Sequence, residues 1–184
     1  MPERRYEHGW MEGRVHVWPR RVYYADTDAA GVVYHSNYLV FAEEARTECM
    51  RCLGVDYPPF GRPGGVAYAI RHCVMDFQRP ALLDDRLVVL TEALTVGGAS
   101  LEARQTIVRE PPTTAAAGDD LRDGGARQSA DGAREVLVVI TLKAVCIDAS
   151  FKAMRLPADV RAALTDKMML PPHSDAAHAA DSRD

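Results

Sequence analysis

The chain has 184 residues, a formal net charge of −4, and 47% hydrophobic against 26% charged residues, which is the composition of one globular domain with a buried core. That balance excludes a disordered chain and a global basic field for nucleic acid. No run approaches the roughly 18 apolar residues of a membrane span, and the opening MPERRYEHGW lacks the apolar segment of a secretory signal, so a cytoplasmic protein without membrane insertion is expected.

In chain order, residues 1–16 read as a polar, irregular and flexible segment. Arg21 to Tyr24 has the aromatic and β-branched character of a strand and runs into Ala25-Asp26-Thr27-Asp28-Ala29-Ala30-Gly31, which is turn chemistry. Tyr23 and Tyr24 alternate in direction along that strand, so one is expected to pack inward and the other to face a partner or solvent. From Ser36 to Leu53, Tyr38, Phe41, Ala42, Ala45, Cys49, Cys52 and Leu53 recur at three- and four-residue steps. This predicts an amphipathic helix closed by Gly54, with Ser36 or Asn37 as its cap.

Beyond the Pro- and Gly-rich loop Pro58 to Gly65 come four strand-like runs: Val66 to Gln78, Arg86 to Thr95, Ser100 to Arg109 and Glu135 to Asp148. The stretch 110–134, rich in Pro, Gly, Ala and Asp, reads as a flexible insertion between the last two. The tail 166–184 reads as mobile, which leaves one domain over 17–165. Most of the connections are too short for parallel crossovers, so the fold class is α+β: an antiparallel sheet of about five strands curled round one long helix. The sheet edges and outer face left by that arrangement predict dimers.

The densest polar and aromatic cluster, Val22 to Tyr38, lies between the first strand and the helix start. Free N–H groups and the positive dipole end there can stabilise an oxyanion. A carboxylate on the preceding loop can act as nucleophile or position water as general base. These are the parts of an acyl-transfer site, although Asp-rich loops also serve as turns and caps. Cys49-x-x-Cys52 sits inside the helical pattern with no second pair after it, His8, His16, His173 and His178 show no ligand spacing, and no metal or redox cofactor is expected.

The run Tyr-x-Asp-Thr-Asp-x-x-Gly-Val-Val-Tyr-His-x-x-Tyr-Leu, followed by Ala45, Arg46, Thr47, Glu48 and Gly54, resembles the signature of hotdog-fold acyl-CoA thioesterases. Within these it is similar to the 4-hydroxybenzoyl-CoA thioesterase family and its branch of small bacterial enzymes associated with the Tol–Pal system. Asp76-Phe77-Gln78-Arg79-Pro80-Ala81 followed by Asp84-Asp85 resembles that family's strand-end turn, and the likeness spans residues 18 to about 162 apart from the insertion. The resemblance implies hydrolysis of acyl-CoA to free acid and coenzyme A, the coenzyme being part of the substrate. It implies Asp28 as the catalytic carboxylate, and His35 as the helix-start residue whose backbone N–H polarises the thioester oxygen. Gly31, Tyr34, Asn37 and Tyr38 follow as substrate-side residues, Gly31 for backbone freedom or close approach and Asn37 and Tyr38 to orient the helix start. Asp26 is expected to shape the turn.

A homodimer is the expected assembly, with a tetramer built of such dimers as the alternative, and acyl carrier protein is the alternative carrier of the acyl group. A non-catalytic acyl-binding or scaffolding protein is the reading from another class. Of Glu43 and Glu44, one is expected to be solvated and the other paired, with Arg46 as the candidate partner; His72 is expected to be structural or interfacial. The turn Val96-Gly97-Gly98-Ala99 lacks the cation that many relatives place there for a coenzyme phosphate, leaving Arg104, Arg109 or an arginine of the insertion for that role.

Overall fold

The computed structural model describes residues 8–55, 66–111 and 134–169; most of the 110–134 insertion, the loop at 58–65 and the end of the tail lie outside the described residues. Its elements are β1 (Trp10–Glu12), β2 (Val15–Arg21), α1 (Asn37–Cys52), β3 (Ala67–Phe77), β4 (Arg86–Val96), β5 (Ser100–Arg109), β6 (Glu135–Ile147) and α2 (Ala158–Met168). The six strands form one sheet in the order β1-β2-β4-β5-β6-β3, and every pair is antiparallel.

The first strand lies earlier than its composition suggested. Glu12 pairs with Val15 across a two-residue turn in which Gly13 takes φ 61°, a conformation open to glycine, so the segment read as irregular supplies a hairpin and the sheet gains a sixth strand. Pro19 is tolerated because β1 pairs with β2 only as far as Val17, which leaves one side of the strand without a partner among the described residues at the proline. After Arg21 the backbone leaves the ladder: the Asp26 carboxylate accepts the Tyr23 N–H at 2.8 Å and winds Tyr24–Asp26 into a 3₁₀ turn. Both tyrosines are consequently exposed, Tyr23 at 60% and Tyr24 at 82%, and do not alternate in and out.

Helix α1 lies over the sheet with Tyr38, Phe41, Ala42 and Ala45 buried among Leu87, Val89, Ile107, Val138 and Ile140. Gln105, fully buried in β5, fixes its height: Nε2 donates to the Ala42 carbonyl at 2.8 Å and to Thr91 Oγ1 at 3.1 Å, and Oε1 accepts from Arg46 at 2.7 Å. Every polar atom of this buried amide is thereby satisfied, as burial requires.

The second helix, α2, was not foreseen. Val160, Leu164 and Met168, spaced by four, are its buried stripe and pack on Cys49, Met50 and Leu53 at the end of α1. Residues 166–168, read as tail, are thus part of the packed structure; Lys167 Nζ also donates to the Leu53 carbonyl at 3.2 Å.

Candidate active site

The loop from Thr27 to Val33 is a small ribbon held from both sides. Thr27 bridges Val33, and Val32 bridges Leu82. At its tip the Asp28 N–H donates to the Val32 carbonyl at 2.9 Å, and the Gly31 N–H to the Asp28 carbonyl at 3.0 Å. Gly31 sits at φ 76° with open space where a Cβ would be, so it serves backbone freedom and not close approach. Asp28 is exposed; its Oδ1 accepts the Ala30 N–H at 2.8 Å, and Oδ2 has no hydrogen-bond partner among the described residues.

Asp26 ties this ribbon to the helix. Its carboxylate, besides capturing Tyr23, receives Arg20 at 3.1 Å, and Arg20 also pairs with Glu44 on α1 and lies over the Phe41 ring. Its carbonyl accepts both the Tyr34 N–H at 2.9 Å and the Asn37 amide at 2.8 Å. Asn37 therefore orients the helix start, and its amide is occupied by the loop. Tyr38 is buried to 2% exposure, and its hydroxyl accepts the Ala81 N–H at 2.9 Å, while the Ala81 carbonyl accepts from Val33 N–H at 2.9 Å. Burial raises the Tyr38 phenol above its ordinary pKa. Of the four residues expected beside the substrate, Asn37 and Tyr38 hold the scaffold, Gly31 shapes the ribbon tip, and Tyr34 is exposed with its ring 4.3 Å from that of His35.

The Pro80–Asp85 turn explains its own motif. Asp85 Oδ2 accepts the Leu82 N–H at 2.7 Å and Arg109 Nε at 2.8 Å, and Asp84 takes φ 71°, a conformation Asp tolerates better than most side chains. Arg109 also pairs with Glu135 and donates to the Pro80 carbonyl at 2.7 Å. It is thus engaged three times by the protein, which removes it from the arginines available to a phosphate.

The helix start has no side-chain cap: Ser36 makes no capping bond, and the Asn37 side chain is turned to Asp26. Among the described residues the His35 and Ser36 N–H groups have no backbone or side-chain acceptor, so the positive end of α1 presents unused donors. His35 and Asp28 are joined by no hydrogen bond or ion pair among the described residues.

A second feature lies further along α1. A cavity of about 410 Å³ opens between the helix and the sheet, lined by Glu43, Arg46, Thr47 and Met50 from α1, Ala103 from β5 and Met168 from α2. Thr47 Oγ1 donates to Glu43 Oε1 at 3.0 Å. Arg46, drawn inward to Gln105, does not pair with either glutamate; Glu44 takes Arg20 instead. Burial lowers the Arg46 pKa. No sequence signal short of the strand register marks this cavity, because its lining comes from α1, four strands and α2, which are distant in sequence.

The remaining candidates resolve simply. Cys49 is buried, with its thiol pushed up to about 12 by burial, and its Sγ lies 3.4 Å from Met168 Sδ; Cys52 is free as well. His72 is exposed on β3.

Residues 30–116 match the family model described as Thioesterase superfamily. The chain is 33% identical over 147 residues to the acyl-CoA thioesterase YbgC of Haemophilus influenzae, covering 79% of this chain and 91% of that one. It is 42% identical over 100 residues to the acyl-CoA thioester hydrolase YbgC of Escherichia coli O6:H1, covering 52% and 71%. A solved 4-hydroxybenzoyl CoA thioesterase complexed with 4-hydroxybenzoyl CoA superposes with a TM-score of 0.64 at 19% identity, covering 82% of this chain and 99% of that one, a likeness of fold.

Proposed function

The chain belongs to the thioesterase superfamily of hotdog-fold proteins, and from that premise we propose that it hydrolyses acyl-CoA thioesters to a free carboxylic acid and coenzyme A. The observation that carries this reading is the uncapped start of α1 beside the Asp28 ribbon. In the proposed reaction the thioester oxygen receives the His35 backbone N–H, which stabilises the negative charge that develops on it as the carbonyl carbon becomes tetrahedral. Asp28 acts in one of two ways. As nucleophile, its carboxylate forms a bond to the carbonyl carbon, the C–S bond breaks with the electron pair leaving on sulfur, and water cleaves the resulting anhydride. As general base, it takes a proton from water as the water oxygen attacks, and that proton leaves with the thiolate. A single turnover in ¹⁸O-water that leaves label in Asp28 marks the nucleophile, with water attacking the anhydride at the Asp28 carbonyl.

Two copies of the chain are proposed as the active assembly. Among the described residues strand β3 is paired only with β6, and on its helix-facing side Ile70 and Phe77 are 45% and 50% exposed, an apolar edge of the kind a second copy covers. Light scattering at micromolar concentration gives the mass directly; a monomer refutes this.

A second reading of the carboxylate has its own observation, because Glu43, and not Asp28, lines the cavity. Asp28→Asn and Glu43→Gln, assayed by thiol release over a panel of acyl-CoAs, decide between them. Loss of about two orders of magnitude or more in kcat with Asp28→Asn alone supports Asp28; loss with Glu43→Gln alone transfers the role to Glu43. No turnover by the native protein on any acyl-CoA overturns the hydrolysis reading and favours the carrier-protein or non-catalytic alternatives.

A further inference from the structure

We propose that the cavity under the second half of α1 holds an unbranched aliphatic acyl tail of medium length, and that α2 forms the wall limiting that length. The inference rests on the thioester-hydrolysis reading with Glu43, the carboxylate that lines this cavity, as the reacting carboxylate, and adds the substrate class to it.

The cavity follows from the strand register. Gln105 pins Ala42 above the row Thr91, Gln105, Ile140. On the side toward the helix start the next row is Val89, Ile107, Val138, branched residues that fill the space beneath α1. On the other side the next row is Ala93, Ala103, Leu142, and the one after it brings Leu101 opposite Ala144. Alanine at three of these places removes the side-chain volume that fills the neighbouring row, while Gln105 keeps the helix from settling into the gap. The result is about 410 Å³ of space, within the range of small-molecule sites, which are concave and mostly apolar with a few polar groups.

Glu43, Arg46 and Thr47 line the cavity from α1 and Thr91 and Glu92 from β4, while Met50, Leu142, Leu164 and Met168 supply apolar wall. A saturated chain suits such walls because it asks for no hydrogen bonds, and the two methionines, unbranched and flexible, adapt to its shape. Charge or hydroxyl groups along the tail would be desolvated there.

The limiting wall is fixed in place. Leu164 and Met168 reach the cavity from α2, whose last turn is held at several points: Arg14 donates to the Asp166 carbonyl at 3.0 Å, Lys167 to the Leu53 carbonyl at 3.2 Å, and Met169 bridges Ala93. A chain that reaches Leu164 must stop or displace a helix anchored to both α1 and the sheet.

The test uses the full chain. Native protein, Ala103→Leu and Leu164→Ala are each assayed with acetyl-, hexanoyl-, decanoyl- and hexadecanoyl-CoA, and binding of decanoate is followed separately by titration calorimetry. The native protein is expected to prefer hexanoyl or decanoyl over both ends of the series. Ala103→Leu lowers the ratio of kcat/KM for decanoyl over acetyl by roughly tenfold to a hundredfold, since each excluded methylene is worth about a factor of four, and it loses decanoate binding. Leu164→Ala raises the hexadecanoyl-to-decanoyl ratio. Should Ala103→Leu fail to fold, as judged by circular dichroism, the Leu164→Ala shift and native decanoate binding carry the decision. Unchanged ratios in folded variants, or a native preference for acetyl, overturn the inference. If no acyl-CoA is hydrolysed, the hydrolysis reading falls, while decanoate binding that disappears in Ala103→Leu still supports the tail site and its absence in the native protein removes it.

Discussion

The Asn37 side-chain amide donates to the Asp26 carbonyl at 2.8 Å, so the first residue of the central helix holds the loop that carries Asp28. The same aspartate's carboxylate binds Arg20 and the Tyr23 N–H. One residue thus joins β2, the loop and α1 through both its main chain and its side chain.

Replacing Asp26 by Ala leaves Arg20, whose Nε is already buried without a partner, with Glu44 as its remaining carboxylate. Destabilisation of about 2–4 kcal/mol is expected, the range for breaking a largely buried charged hydrogen bond. Asp26→Asn keeps an acceptor for Tyr23 and costs about half as much. Urea unfolding midpoints measure both, and kcat is expected to fall in Asp26→Ala, where the loop that leads to Asp28 loses its side-chain ties to Arg20 and Tyr23.

Tyr38→Phe removes the acceptor of the Ala81 N–H while preserving the ring's packing against Phe41 and Phe77. A buried donor left unsatisfied costs about 1–3 kcal/mol. A thermal denaturation scan that shows no change would mean water replaces the hydroxyl.

His16 makes stability fall in mild acid. The ring is fully buried; a proton on Nε2 bonds the His8 carbonyl at 2.8 Å, and Nδ1 has no partner. Burial lowers its pKa below the ordinary 6.5, opposed by the His8 carbonyl and by Glu48. The unfolded chain therefore takes up the proton first, and stability declines as pH drops below about 6.5 toward the folded-state value, with none of this loss above pH 7. Urea midpoints at pH 7.5 and 5.0 should differ less in His16→Gln than in the native protein.

The thiols should separate cleanly by reactivity. Cys73 is exposed on β3, whereas Cys49 and Cys146 are buried and burial raises both of their pKa values. Brief iodoacetamide treatment at pH 8, read by peptide mass spectrometry, is expected to label Cys73 and leave Cys49 unmodified until denaturant is added. Early labelling of Cys49 would revive the redox reading of the Cys49–Cys52 pair.

What could be read in the chain itself was whatever depends on local periodicity and turn chemistry. The apolar steps from Tyr38 to Leu53 place α1 within a residue or so of Asn37–Cys52, and the alternating runs place β3 to β6, because a helix or strand with one buried face must repeat its apolar residues at the period of that face. The Asp-Thr-Asp ribbon and its resemblance marked the Asp28 end of the helix. Short elements escaped: β1 has three residues, and α2 shows its stripe only at Val160, Leu164 and Met168. Two further things were decided by the tertiary structure alone. The Tyr23–Asp26 capture ends β2 at Arg21, since a side chain competes with the ladder only once the turn has formed. The cavity exists because alanines distant in sequence, Ala93, Ala103 and Ala144, come to lie in neighbouring rows beneath a helix whose height a buried glutamine fixes. Register is a relation between strands, and no one strand's sequence contains it.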